Sequence, residues 1–223
     1  MHPAFLLYQQ DELEMYYAPF DSINRSASIA IVGITPGWQQ MEICYRTARA
    51  ELVRGADETD ACRKAKAQAS FAGPMRRNLL SMLADLDIHN LLDISNVSLL
   101  FGDGASLLHA TSAIRYPVFV RGGNFTGYNP NPLHHPLLRE MVFEVLAPEL
   151  DEVSEALVVP LGKTVDTCLS ALISAGLLSS DRCLLGFPHP SGGNGHRKSQ
   201  FERNRDKLRT KAARGLAGDE APS

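Results

Sequence analysis

The chain lacks any apolar run that approaches the roughly 20 residues needed to cross a bilayer, and its opening stretch, MHPAFLLYQQDELEMYY, has neither a basic leader nor a small-residue cleavage site. Those absences predict a cytoplasmic protein with no membrane partner. Cysteine is scarce: Cys44, Cys62, Cys168 and Cys183 lie far apart and form no C-x-x-C pair. That argues against a zinc site or a disulfide framework and for free thiols in a reducing compartment. Excess positive charge is also missing, since 22 Lys and Arg face 25 Asp and Glu for a formal charge of -3. A protein that coats nucleic acid through bulk electrostatics is thereby excluded. Neither an internal repeat nor a domain linker is visible, so a single domain is predicted over residues 1–211, followed by a mobile tail over 212–223.

What is present alternates. Four short apolar runs rich in branched residues read as buried strands: SIAIVGI (28–34), LLDISNV (91–97), EALVVPLG (155–162) and RCLLGFPH (182–189). Between them, residues 41–69 are helix-prone and charged, and GPMRRNLLSMLADLDI sets Met75, Leu79, Met82, Leu83 and Leu86 on one helical face. HPLLREMVFEVLAPEL and KTVDTCLSALISAGLL repeat the amphipathic pattern, the second stopping at glycine. The alternation predicts an α/β fold, a three-layer α/β/α sandwich around a central, mostly parallel four-stranded sheet. Residues 101–132, glycine-rich and aromatic without a clear period, read as a long functional loop in which Phe125 and Tyr128 are candidate ligand contacts.

Three strand ends carry polar or glycine-rich turns: GITPG after the first, SNVS around the end of the second and PHPSGGNG after the last. In a parallel sheet such turns converge on the carboxyl edge, where ligands gather. Beyond the last turn, Arg197 to Arg214 hold eight Lys or Arg against only Glu202 and Asp206, a local phosphate-binding face or a solvated helix surface.

Taken together and in this order, these stretches resemble the uracil-DNA glycosylase superfamily. In that family a G-x-x-P-G turn follows the first strand, a Phe stacks on the extruded base, an Asn after another strand reads the base edge, and H-P-S forms the final loop. The matching positions are Gly33 to Gly37, Phe71 in FAGPMRRNLL, Asn96 in SNVS, and His189 to Ser191. The likeness spans residues 28–205, with poor matches at 38–70 and 101–132. It implies DNA as partner, and a monomer with no cofactor or metal is expected. The iron-sulfur cluster of some branches is not expected, because its early cysteines precede the first motif and this chain has none there.

The resemblance also implies roles, and the chemistry agrees with them. A base must leave the stack before its glycosidic bond can be reached. Phe71 is then the stacking platform, and Asn96 offers donor and acceptor to a pyrimidine edge, without choosing uracil over cytosine. His189 stabilises charge developing on O2 of the leaving base. Ser191, Gly192 and Gly193 grip flanking phosphates, with Asn194, His196, Arg197 and Lys198 following against DNA or in the vacated stack. The departures lie in the first motif. Ile34 and Thr35 stand where hydrolysing members carry an acid or amide, leaving Thr35 as the candidate water-orienting residue, with Gln39, Glu42 and Asp103 as possible replacements. Gly37 stands where uracil-selective members block the C5 side with Tyr, and Trp38 is a candidate pocket wall. An open C5 side predicts a modified or bulky pyrimidine, of the kind phages place in their DNA, and hence a defence role. The alternative is a binder of damaged or modified DNA that is silent or traps the sugar covalently, with His134 or His135 as candidate nucleophiles.

Overall fold

A computed structural model describes residues 2–217. Its centre is a three-stranded parallel sheet in the order β4-β3-β7, formed by β3 (Ile29–Gly33), β4 (Leu108–Ser112) and β7 (Leu157–Pro160). Every residue of β3 and β7 is buried, as the unbroken apolar runs require of strands covered on both faces. Side chains alternate between the faces. Ile29, Ile31, Leu157 and Val159 join the core under α3 (Pro74–Asp85), α4 (Ile88–Leu91) and α8 (Arg197–Leu216), through Leu79, Leu83, Ile88, Phe201 and Leu208. Ala30, Val32 and Val158 face Val165, Cys168, Leu169 and Leu172 of α7 (Lys163–Ser174) and Leu138, Val142 and Leu146 of the run α5 (Pro136–Glu140), a π-helical stretch (Met141–Leu146) and α6 (Ala147–Asp151). The wider π turns precede Pro148, whose nitrogen cannot donate to the preceding turn.

A second sheet, antiparallel in the order β1-β2-β5-β6, consists of β1 (Leu6–Gln10), β2 (Leu13–Tyr16), β5 (Val118–Val120) and β6 (Gly123–Asn124). Against it lie the antiparallel neighbours α1 (Trp38–Val53) and α2 (Glu58–Ala69), with Met41, Cys44 and Ala65 packed on Tyr16 and Phe119. Asp57 caps α2 by accepting the Asp60 N–H at 2.9 Å.

Four expectations are corrected. Residues 91–97 are not a strand: α4 ends at Leu91 and a 3₁₀ turn begins at Val97. The neighbour of β3 is β4, LHATS, inside the segment expected to be a loop, and that segment also supplies β5, β6 and the buried Phe125. The stretch 182–189 runs beside β7 but forms only one parallel bridge, Val158 to Cys183, with hydrogen bonds at Val158 and Gly162. The sheet is therefore three full strands with a fourth segment held at its side. Nor does a tail start at 212: α8 continues to Leu216, Ala212 is fully buried, and a Cβ on Gly215 would sit 2.7 Å from Leu157. The rest of the expected tail, 218–223, lies outside the described residues.

Candidate functional site

The carboxyl ends of β3, β4 and β7 bring three turns together. Past Gly33 the chain stays paired with the β4 side, since Ala113 and Ile114 donate to the carbonyls of Gly33 and Ile34 at 2.8 and 2.9 Å. On the other side Leu161 donates to Val32 O at 2.8 Å and Gly162 to Phe187 O at 3.0 Å, which draws the HPS loop against the sheet. Gly162 has φ +92°, and a Cβ there would lie 2.8 Å from that of His189. Only glycine permits this approach.

Phe71 closes the other side. It sits in the left-handed region at φ 54°, uncommon for a non-glycine residue and costing about 1–3 kcal/mol. Its N–H donates to Gln40 Oε1 at 3.1 Å. Its ring, nearly fully buried, lies so close to Gly33 that a Cβ there would meet it at 3.1 Å and the Ser112 hydroxyl at 3.4 Å. Phe71, Gln40, Thr111, Ser112 and Arg115 line a cleft of about 10 Å³, room for one water. The Thr111 hydroxyl is buried without a protein partner. From Phe71 the chain enters α3 through Gly73 and Pro74, and Asn78 on that helix donates to Pro190 O at 2.8 Å. Phe71 and the HPS loop are thereby braced by one helix.

His189 is half-buried, and burial pulls its pKa below the ordinary imidazole value. Its Nδ1 accepts the Ser191 N–H at 3.2 Å, so the neutral ring carries its proton on Nε2 and presents a donor. Two residues brace the loop from within: Asn194 donates to His189 O and Gln200 Oε1, and Arg197 donates to Ser191 O at 2.8 Å. Gly192 and Gly193 are exposed, and their N–H groups meet no backbone acceptor. His196 and Lys198 are exposed at the start of α8, a 20-residue helix that follows the same loop and whose N-terminus no side chain caps. Beneath the loop, Asp166 accepts the Gly186 N–H at 2.9 Å through one oxygen, while the other is buried and unpaired. Burial pushes its pKa up to about 7, against the smaller lowering effect of that hydrogen bond.

Other expected site residues sit differently. Asn96 is exposed, its side-chain Oδ1 accepting the Ser98 N–H at 2.8 Å, and the 3₁₀ turn it opens leads toward the start of β4 rather than its end. At the end of the second strand stands Ser112 instead. Thr35 donates to Tyr116 O at 2.8 Å and accepts the Val118 N–H at 3.2 Å, so its hydroxyl ties the first turn to β5. Gly37 does not leave empty space, because the Asn124 amide lies 3.4–3.5 Å from where a Cβ would be and caps α1 by accepting the Trp38 N–H. The Trp38 ring is half-exposed and lines an apolar recess with Phe5, Tyr16, Met41 and Tyr45 instead of the cleft at Phe71. Ile34 packs under Gly127. Glu42 pairs with Arg46, Gln39 lies over Gly73, and Asp103 is exposed. Tyr128 is exposed, Phe125 is core, and His135 lies edge-on to Tyr8.

Sequence reasoning missed Gln40, Ser112, Arg115 and Asp166. The signal at Ser112 was weak, because β4 buries the polar His109, Thr111 and Ser112 and so hides its strand pattern. Among the described residues, no group of three or more His, Cys, Asp or Glu is arranged to hold a metal, and no helix is long and apolar enough to cross a membrane.

The fold and these converging turns define a mixed α/β protein with its candidate site at the carboxyl edge of a parallel sheet. No family model matches the chain. Over 206 residues, 92% of this chain and 80% of the relative, it is 43% identical to the uncharacterised protein YoxB of Bacillus subtilis (strain 168), and the chain belongs to the YoxB family.

Proposed function

We propose that this protein is a DNA glycosylase of the uracil-DNA glycosylase type, a three-layer sandwich that takes a pyrimidine out of DNA and hydrolyses its N-glycosidic bond. The observation that carries the reading is the neutral His189, its Nε2 proton free and its loop drawn to the end of β7, on the same sheet edge as Phe71. A neutral imidazole N–H at that edge stabilises negative charge developing on a leaving base. Phe71 supplies the stacking face. Ser112 takes the place at the second strand's end expected for Asn96. A single hydroxyl both donates and accepts, so it distinguishes pyrimidines less sharply than an amide. The N–H groups of Gly192 and Gly193 and the start of α8 hold the flanking phosphates. A base needs more room than the water-sized cleft at Phe71, so binding in this reading requires Phe71 and Gln40 to part from β4.

A second reading, a non-hydrolysing binder of damaged or modified DNA, draws on Thr35. Its hydroxyl is committed to the backbone, and the first turn holds no acid to offset positive charge on the sugar. The test is strand scission by alkali after incubation with DNA carrying uracil, 5-hydroxymethyluracil, 5-hydroxymethylcytosine or its glucosylated form. Scission at one base, lost in His189→Ala, supports the glycosylase. Silence across the panel with retained DNA binding supports the binder.

A further inference from the structure

Along the first half of β4, on the side of α2, lies a second and larger space of about 340 Å³. It meets the narrow cleft at Ser70 and Ala110 but opens elsewhere, between α2 and the turns that precede β4. One wall is apolar, made by Leu100, Phe101 and Leu108. The lining also carries Lys66 and His109 and the exposed Arg63, and it is this part that bears charge.

The Lys66 ammonium in this part of the lining is under-coordinated. Lys66 is 5% exposed, donates to Ser22 O at 2.6 Å and stands 3.7 Å from Glu149 Oε1. The Glu149 oxygens are already engaged, one by His109 Nε2 at 2.9 Å and the other by Arg115 at 2.8 Å. His109 Nδ1 accepts the Asn24 N–H at 3.4 Å, which leaves the proton of a neutral ring on Nε2, where it donates to Glu149. Lys66 thus makes one hydrogen bond with three N–H donors, and the acids that act on it are Glu149, already engaged, and Asp21, which lies beyond ion-pair distance. A buried cation without full compensation is costly, and a cavity of this size matches the smaller ligand sites of proteins.

We propose that this cavity binds a small organic anion, with a carboxylate or phosphate monoester against Lys66 and an apolar or aromatic body against Leu100, Phe101 and Leu108. Nothing in this inference depends on the glycosylase reading.

Calorimetric titration of the full chain with benzoate and with phenyl phosphate, beside benzyl alcohol as the uncharged analogue, tests it. The expected result is saturable binding of at least one acid and none of the alcohol; comparing the two acids identifies the head group. Ala67→Trp, at the exposed mouth of the cavity, abolishes binding without touching the buried charges. Lys66→Met weakens it about tenfold or more, as loss of a charge-assisted bond does. Absence of binding by either acid, or binding unchanged in Ala67→Trp, overturns the proposal. If Lys66→Met does not fold, Ala67→Trp decides alone.

Discussion

His189 in the HPS loop and Asp166 beneath it on α7 respond oppositely to burial, and each sets a distinct expectation. His189 is kept neutral, so His189→Ala removes a donor while keeping the Cβ that packs against Gly162. Base release should fall by about a hundredfold to a thousandfold with little change in melting temperature, as measured by single-turnover kinetics and calorimetry. Asp166 has a folded pKa of about 7 against an ordinary value of 3.8, because burial disfavours its charge. The folded state therefore holds a proton that the unfolded state has lost, between those two values. Stability from this group is intact below the lower value and is lost as pH rises through the upper. Asp166→Asn should raise the melting temperature at about pH 8 and leave it unchanged at about pH 3, read by thermal denaturation. Glu149 shows the reverse. Burial pushes its pKa up, but hydrogen bonding to His109 and the charges of Lys66 and Arg115 prevail and bring it to about 2. Its contribution is complete above the ordinary value of 4.5 and fades as pH falls toward 2. Glu149→Gln removes the carboxylate that pairs with the buried Lys66 and the half-buried Arg115 and should cost about 3–5 kcal/mol, measured by denaturant unfolding.

Elements were legible where packing is uniform on both sides. β3 and β7 are continuous apolar runs, and α3 and α7 bury the residues that their helical period sets on one face. LLDISNV misled because it is apolar at both ends yet carries Asp93 and Asn96 at turn positions, and Asp93 has positive φ. β4 was hidden for the converse reason: it is an edge strand whose inward His109 is satisfied by Glu149, and only tertiary structure supplies that partner. The site shared this fate. Gly33, Phe71 and His189 announced themselves through turn and loop motifs, whereas Ser112 and Gln40 depend on which strand lies beside β3. The terminal helix was underestimated because its charges conceal the stripe of Phe201, Leu208 and Ala212 that packs on the sheet. Leu208→Ala, at a fully buried position, should therefore destabilise the protein by about 2–5 kcal/mol in denaturant unfolding, far beyond what a solvated basic helix would lose.

At the scale of the whole molecule, the charge of -3 and the basic start of α8 are compatible because the basic residues are local. Phosphate contact is confined to the HPS loop and the first turns of that helix in the proposed reading. Affinity for DNA should fall with salt along a shallow logarithmic slope, equivalent to about two to four phosphates, and Lys198→Ala should reduce its magnitude by about one. Fluorescence anisotropy across a salt series reads both. The central claim is hydrolytic release of a base, and its most direct measurement is mass spectrometry after reaction of the base panel in oxygen-labelled water. The account predicts one free pyrimidine without label, heavy oxygen at the sugar of the abasic product, and loss of both signals in His189→Ala. DNA bound but returned intact from every substrate would contradict it.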